Sequence, residues 1–247
     1  MTAVADDASG DLAVGDNAGH LQFFTAPLSG TSTPSAAFNN GTATNDGQIA
    51  FTTAGDFWAA GVSNRVNAFT HPFSNASTPS AFVTDAALVS AIGAAFDAAQ
   101  NLYVSNAGTG TAITCTSGAG TCSNLLVYAR PYTGAPIVTP NVASTAYRKV
   151  AISATQLFAC SVAGATGKVD VYALPITAAS TPAFSITTGL NTPEGIALDP
   201  SGNLYVGNLS NATVAVYAPP FSAASAPTLA FTVSLDAFAL FGIAIGK

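Results

Sequence analysis

Charged side chains are scarce in this sequence: only 7% of its residues are Asp, Glu, Lys or Arg. Glycine, serine, threonine, alanine and asparagine are abundant instead, so solubility must come from hydroxyl groups, amides and exposed backbone rather than from ion pairs. Such surfaces are commoner on secreted proteins than on cytosolic ones. We therefore expect an extracellular or cell-envelope location.

Basic residues are fewer still, because six Lys and Arg stand against twelve Asp and Glu, which gives a net charge of -6. A negatively charged chain repels phosphate backbones and anionic lipid headgroups. We therefore do not expect nucleic acid as a partner.

Long apolar runs are missing as well. The mean hydropathy is +0.42, yet the longest apolar run, near residues 237–245, is about half of the roughly 18 residues that a membrane-spanning helix needs. We expect no membrane span. Residues 1–6 show neither a basic region nor an apolar stretch, so we expect no signal peptide here, and an exported protein would be a mature or trimmed form.

Helical periodicity is also lacking, and the sequence contains instead a repeat of about 45 residues. Each of five copies has a turn followed by a short apolar strand, then an aromatic residue, a proline three positions later and a second proline beyond it. The strand positions are Leu12, Phe57, Leu102, Leu157 and Leu204, and the aromatic positions are Phe24, Phe69, Tyr128, Tyr172 and Tyr217. The prolines are Pro27, Pro72, Pro131, Pro175 and Pro220, followed by Pro34, Pro79, Pro136, Pro182 and Pro227.

Each repeat predicts four short β-strands, because β-branched and aromatic runs alternate with Gly, Pro, Asn and Ser. In the last full copy we expect strands at 196–198, 204–206, 214–217 and 229–231. The prolines mark a loop and a protected outer edge, since proline cannot donate to a β ladder. Tandem units of four strands are typical of β-propeller blades.

The predicted fold is therefore all-β, a single β-propeller domain over residues 1–247 with five complete blades. The expected repeats cover residues 2–46, 47–91, 92–147, 148–193 and 194–240, with an extra strand at 241–247. That extra stretch looks like the innermost strand of a sixth blade. The alternative is a six-bladed ring completed by missing sequence or by another chain.

The last full repeat reads Pro-Glu-Gly-Ile-Ala-Leu-Asp-Pro-Ser-Gly-Asn-Leu-Tyr-Val, followed by a Val-Ala-Val-Tyr strand. This pattern resembles the NHL-repeat propellers, especially secreted bacterial ones, and residues 94–104 and 4–14 echo it. The resemblance implies an architecture and leaves the activity open. The basic residues of RNA-binding members are missing, and no metal-binding set typical of lyase-like or lactonase-like members can be matched.

Polar residues fall where a propeller usually forms its sites. The loops that enter the innermost strands and those between the second and third strands emerge on one face, around the mouth of the central channel. Candidate ligand-binding residues there are Asp16, Asn17, Asn64, Asn106, Arg148, Glu194 and Asn208, with Arg65 and Lys149 on the same face. Such a ring suits a sugar, a peptide or an ion, whereas the alternative is that these side chains cap turns.

Arg148 and Glu194 form the most specific pair of this ring. Aligning residues 151–152 with residues 197–198 places both side chains just before the innermost strands of consecutive blades. We expect them to converge on one mouth, where a carboxylate beside a guanidinium keeps its charge and accepts paired hydrogen bonds. The alternative is an exposed pair of little energetic weight.

Two cysteines flank the only insertion of the repeat. Cys115 and Cys122 enclose a Gly-containing loop, so we expect a local disulfide, with two free thiols as the alternative. Cys160 aligns with Gly15, Ser105 and Gly207 and is interpreted as a small buried core residue.

Signals for catalysis are weak. His20 and His71 are predicted on opposite faces, so they cannot share a metal, and no serine lies in a Gly-x-Ser-x-Gly elbow. We predict a non-enzymatic binding or scaffold protein without metal or cofactor, whose ligand is a glycan, a peptide or a protein. A lyase-like or lactonase-like enzyme is the first alternative. A structural protein that self-associates through its C-terminal strand is the second.

Overall fold

The computed structural model describes residues 3–41, 47–61, 63–108, 122–143, 145–162, 167–233 and 242–245. Within these residues the chain forms 21 β-strands in five antiparallel sheets, which we call blades 1 to 5. Strands that follow each other in sequence pair with each other in every blade, except that the last two strands of blade 3 both pair with its third strand. The same residues contain no helix long and apolar enough to cross a lipid bilayer.

Four of the blades have four strands each. Blade 1 contains β1 (Ala3–Asp6), β2 (Leu12–Gly15), β3 (His20–Phe24) and β4 (Ala36–Asn39). Blade 2 contains β5 (Ile49–Phe51), β6 (Phe57–Ala60), β7 (Arg65–Phe69) and β8 (Ala81–Thr84). Blade 4 contains β14 (Tyr147–Ile152), β15 (Gln156–Ser161), β16 (Lys168–Ala173) and β17 (Phe184–Ile186). Blade 5 contains β18 (Pro193–Leu198), β19 (Leu204–Asn208), β20 (Thr213–Tyr217) and β21 (Leu229–Thr232).

Blade 3 departs from the pattern at its outer edge, where two short strands replace one. Its strands are β9 (Ala91–Phe96), β10 (Leu102–Gly108), β11 (Cys122–Tyr128), β12 (Ile137–Val138) and β13 (Val142–Ala143). Both β12 and β13 pair with β11. Pro140 lies between them and has no N–H to donate, so the outer ladder is interrupted there.

The predicted equivalence of the repeats is confirmed by the strand register. In all five blades the apolar residue of the second strand lies opposite the aromatic residue of the third strand. The five pairs are Leu12 with Phe24, Phe57 with Phe69, Leu102 with Tyr128, Leu157 with Tyr172 and Leu204 with Tyr217. Each residue position of one blade therefore has a defined counterpart in the others.

The Asp and Asn of the repeat motif close the turn between the first two strands. In blade 5, Asp199 accepts hydrogen bonds from the backbone N–H and the side-chain amide of Asn203, each at 2.8 Å. Asp97 and Asn101 make the same two contacts in blade 3. These side chains replace backbone partners within a tight turn, which is why the motif marks turns rather than a ligand site.

The blades are arranged in a ring with their first strands innermost. Strand β1 packs beside β5, β5 beside β9, β9 beside β14, and β14 beside β18. Four apolar clusters fill the interfaces between consecutive blades, from blades 1 and 2 to blades 4 and 5. Residues 242–245 lie beside Val4 and line the centre of the ring, but no strand is assigned to them.

Candidate binding site at the channel mouth

A cavity of about 330 Å³ lies on the axis of the ring. It is lined by the first strands of all five blades and by residues 243–245. Because the blades are antiparallel meanders, all five first strands begin on one face, and the turns between the second and third strands lie on that same face. We call this face the channel mouth, because the sequence places the candidate residues here. The cavity itself is lined by later residues of the first strands and not by Arg148, Lys149 or Glu194.

The structure brings Arg148 and Glu194 together at this mouth. Both lie near the start of the first strands of neighbouring blades, and the Arg148 Nε lies 3.2 Å from the Glu194 Oε1. The contact is close enough for an ion pair, but the Nε–H does not point at an acceptor well enough to form a hydrogen bond. The Arg148 side chain is 35% exposed, whereas that of Glu194 is 9% exposed. The guanidinium is therefore the more accessible of the two charged groups.

Lys149 adds a second positive charge beside the same carboxylate. Lys149 is only 5% exposed. Burial raises the pKa of Glu194 above its ordinary value, and the nearby charges of Arg148 and Lys149 offset part of that rise. The mouth thus combines two cations with one buried carboxylate.

Cys160 is part of the frame that holds Lys149. The Cys160 Sγ accepts a hydrogen bond from the Lys149 N–H and donates one to the Lys149 carbonyl, both at 3.3 Å. The thiol is fully buried, and burial raises its pKa to about 12. It is therefore protonated at neutral pH, which agrees with its interpretation as a small core residue.

Ser105 has the corresponding role one blade earlier. Its Oγ accepts a hydrogen bond from the Gly93 N–H at 2.7 Å and donates one to the Arg148 carbonyl. The backbone of Arg148 is thereby tied to blade 3. These contacts fix the start of β14, and with it the position of the Arg148 side chain.

Gln48 lines the channel and was not singled out by the sequence. Its Nε2 donates to the Val150 carbonyl at 2.8 Å, and its Oε1 accepts from the N–H groups of Val150 and Ala94. One side chain of blade 2 therefore joins blades 3 and 4 across the axis. Repeat alignment would have found it, because Gln48 occupies the position of Lys149 and Gly93.

Asn106 and Asn208 are buried and bind their own blades. The Asn106 Oδ1 accepts from the N–H groups of Val89 and Ser90, and its Nδ2 donates to the Ala87 carbonyl. The Asn208 Oδ1 accepts from the Asn191 N–H, and its Nδ2 donates to the Gly189 carbonyl and the Thr213 hydroxyl. Both amides therefore anchor the loop that enters the first strand of the same blade.

Asp16, Asn17 and Asn64 lie farther from the axis, in turns between second and third strands. The Asp16 Oδ1 accepts from the N–H groups of Ala18 and His20, and its Oδ2 lies 2.8 Å from the His20 Nδ1. Asn17 and Asn64 are exposed. These three residues belong to blades 1 and 2, whereas Arg148 and Glu194 belong to blades 4 and 5.

The predicted disulfide lies outside the described residues, because Cys115 and the side chain of Cys122 are not among them. Within the described part of the chain, no group of three or more His, Cys, Asp or Glu side chains is arranged to hold a metal ion. His20 begins β3, whereas His71 follows the end of β7, so the two lie at opposite ends of their strands.

The raised pKa of Glu194 predicts a pH dependence of stability. The folded chain holds the Glu194 proton more tightly than the unfolded chain, so the free energy of unfolding should fall as pH rises from below about 4.5 through the raised pKa. Glu194→Gln removes this contribution. Urea unfolding between about pH 4 and pH 7 should therefore show a smaller fall in the variant.

Asp199→Asn is the control, because hydrogen bonds from Asn203 lower the pKa of Asp199, so that its contribution has the opposite sign. This variant should retain the fall with rising pH. Parallel pH profiles for the wild type and Glu194→Gln would contradict the assignment.

Comparison with known proteins gives structural matches alone. No protein-family model matches the sequence, and no curated protein sequence matches it. A chain in the crystal structure of the nidogen/laminin complex matches with a TM-score of 0.69 and 16% identity, over 100% of this chain and 84% of that chain. The chain has a β-propeller fold. The β-propeller domain of Cps50 (Swd1) from Myceliophteria thermophila matches this propeller with a TM-score of 0.62 and 14% identity, over 96% and 73% of the two chains.

The ring of five antiparallel blades, four of them four-stranded, and these neighbours confirm the predicted all-β class and the propeller architecture. Sequence identities of 14% to 16% show the fold alone. The function of this propeller therefore has to be argued from its own residues.

Proposed function

We propose that this chain is a non-enzymatic binding or scaffold propeller of the NHL-repeat type, located at the cell exterior or envelope. Its channel-mouth face holds an acidic segment of a peptide or protein partner. The observation that carries this proposal is the cluster of Arg148, Lys149 and Glu194, in which two cations surround one buried carboxylate.

The charge of the cluster favours an acidic ligand. Arg148 and Lys149 both lie beside Glu194 in a chain whose net charge is -6, so positively charged side chains are concentrated at this mouth. The Arg148 guanidinium carries donors beyond its Nε and is partly exposed. A carboxylate of a partner can accept paired hydrogen bonds from these donors, while Glu194 orients the guanidinium from below.

The structural neighbours support a macromolecular partner. One of them was solved in a complex between nidogen and laminin, which are both proteins. A propeller suits such a role because loops from every blade converge on one face and can contact an extended segment together. The sparse charge of this chain supports the proposed location at the cell exterior or envelope.

A phage-displayed random peptide library, selected on the immobilised chain, tests the proposal. We expect the selected peptides to be enriched in Asp and Glu. Arg148→Met should weaken the binding of a selected peptide by about tenfold or more, because truncating one partner of a charge pair at an interface centre is costly. Fluorescence anisotropy with the labelled peptide measures this change.

Arg65→Met is the matched control, since Arg65 lies on the same face but at the start of β7, where its guanidinium stacks 5.5 Å from the Phe82 ring. This variant should bind the peptide within about twofold of the wild type. Thermal unfolding of both variants separates loss of binding from loss of fold. Equal binding by the wild type and a folded Arg148→Met variant would show that the peptide does not bind at the channel mouth.

A further inference from the structure

The ring has a seam between blade 5 and blade 1, where the apolar filling differs from that of the other interfaces. Here residues 242–245 lie where the first strand of a further blade would be, with Ile243 packed against Val214 and Val216 of blade 5. On the other side, Gly242 approaches Val4 of blade 1 so closely that an added Cβ would lie 2.9 Å from its Cγ1. None of the 21 described strands pairs with residues 242–245.

Phe231 marks a side of blade 5 that no other blade covers within the described residues. Phe231 lies opposite Val214 in the outer ladder and is 44% exposed. The counterparts of Phe231 are covered by the following blade and are at most 7% exposed. They are Phe38, Val83, Thr139 and Ile186.

On the opposite side of the seam, no strand of the described residues forms a blade that covers blade 1. On this side of blade 1, Leu12, Val14 and Phe24 are partly exposed, and Gln22 is exposed. Every described counterpart of Leu12 and Phe24 is at most 2% exposed. These counterparts are Phe57, Leu102, Leu157 and Leu204, and Phe69, Tyr128, Tyr172 and Tyr217.

A cavity next to Leu28 indicates which kind of side chain would fill the seam. In two other interfaces, an aromatic ring from the second strand of one blade packs against a ring of the next blade. That second ring lies four positions after the aromatic residue of the repeat. The Trp58 and Tyr132 ring centroids are 4.8 Å apart, and those of Phe158 and Phe221 are 5.0 Å apart. Leu28 holds the corresponding position in blade 1, is 44% exposed and borders a cavity of about 600 Å³.

We propose that this seam is a docking site for a three-stranded antiparallel meander of the chain's own repeat pattern. The meander pairs with residues 242–245, covers Phe231 of blade 5, and places a large side chain of its first strand in the cavity next to Leu28. Its outer faces then bury the apolar residues of both flanking blades, as the other interfaces do. This inference rests on burial at the seam and is independent of the channel mouth.

A second copy of the chain is a poorer occupant of the seam. Its repeat-type meanders already belong to its own blades, where the interblade clusters bury them. Releasing one of them would expose that apolar surface to water. A meander whose apolar faces are not yet buried against other blades exposes no such surface when it docks.

A fused meander tests the proposal on the full chain. A copy of residues 52–90, which contains β6, β7, β8 and the connection into β9, is placed directly before Met1. We expect the melting temperature to rise by about 5 °C or more, because the copy covers both exposed flanks. The copy also adds a second tryptophan, whose fluorescence should be blue-shifted and shielded from acrylamide when it enters the cavity next to Leu28.

Two exposed phenylalanines provide matched variants of the fused chain. Phe231→Asp should abolish most of the gain in melting temperature, because Phe231 faces the seam. Phe82→Asp, made in blade 2 and not in the added copy, should leave the gain in place. Phe82 is 56% exposed on the outer strand of blade 2, and its counterpart Ala230 is also exposed. An unchanged melting temperature on fusion, or a gain that survives Phe231→Asp, overturns the proposal.

Two further measurements cover the remaining outcomes. If the fused chain does not fold, a synthetic peptide of residues 52–90 is added to the parent chain, and native mass spectrometry should show a one-to-one complex that Phe231→Asp abolishes. The absence of that complex overturns the proposal. Sedimentation of the parent chain should show a monomer, and a dimer dissociated by Phe231→Asp would instead assign the seam to a second copy.

Discussion

Asp170→Asn is expected to lower the free energy of unfolding by about 3 kcal/mol or more, because it removes one partner of a buried ion pair. Asp170 is fully buried in β16, and its Oδ2 lies 2.8 Å from the Lys168 Nζ. The same oxygen accepts a hydrogen bond from the Tyr147 hydroxyl at 2.8 Å, while the Oδ1 accepts one from Ser185. Without the carboxylate, Lys168, whose side chain is 23% exposed, loses its ion-pair partner, and the Tyr147 and Ser185 hydroxyls lose a charged acceptor in the buried interior.

Asp16→Asn is the matched control, because the substitution is the same and the contact between its carboxylate and His20 is exposed. Its amide oxygen can still accept the turn hydrogen bonds from Ala18 and His20. We expect this variant to stay within about 1 kcal/mol of the wild type in urea unfolding at neutral pH. Similar losses in both variants would show that the Asp170 cluster carries no special weight.

The sequence predicted the register of the blades but not this buried cluster, and the reason is physical. Register follows from positions that keep one chemical character in every copy, such as the apolar residue opposite the aromatic one. The residues at the position of Asp170 share no chemical character across the five blades. The counterparts of Asp170 are Gln22, Asn67, Leu126 and Ala215. A buried carboxylate therefore arises from partners supplied by one blade, which alignment of repeats cannot show.

The same distinction applies to the channel mouth. The convergence of Arg148 and Glu194 followed from alignment, because first strands of neighbouring blades lie side by side. Asn106 and Asn208 were placed on the correct face, but whether an amide points outward or back to its own loop depends on backbone donors that the pattern does not encode. The reach of Gln48 across three blades depends on the curvature of the ring, which one repeat does not define.

Gly93→Ala is expected to destabilise the chain by about 3 kcal/mol, although alanine is normally tolerated in strands. An added Cβ would lie 2.6 Å from the Ser105 Oγ and 2.7 Å from the Arg148 carbonyl oxygen. The hydroxyl cannot rotate away without losing its hydrogen bonds to Gly93 and Arg148. The strain therefore has to move the start of β14, which carries the Arg148 side chain to the mouth.

Two further variants separate local overpacking from displacement of the mouth. Gly30→Ala should be nearly neutral, since no atom lies within 4 Å of its added Cβ. Gly93→Ala combined with Ser105→Gly imitates blade 1, where Ala3 lies opposite Gly15. This double variant should recover only part of the lost stability, because the contact with the Arg148 carbonyl remains.

Binding distinguishes the two sources of strain. If β14 is displaced, the Gly93→Ala and double variants should both bind the selected acidic peptide more weakly than Gly30→Ala, even at temperatures where all three are folded. Full recovery of stability and binding in the double variant would place the whole clash at Ser105. The start of β14 would then be independent of Gly93, and this glycine would act on packing alone.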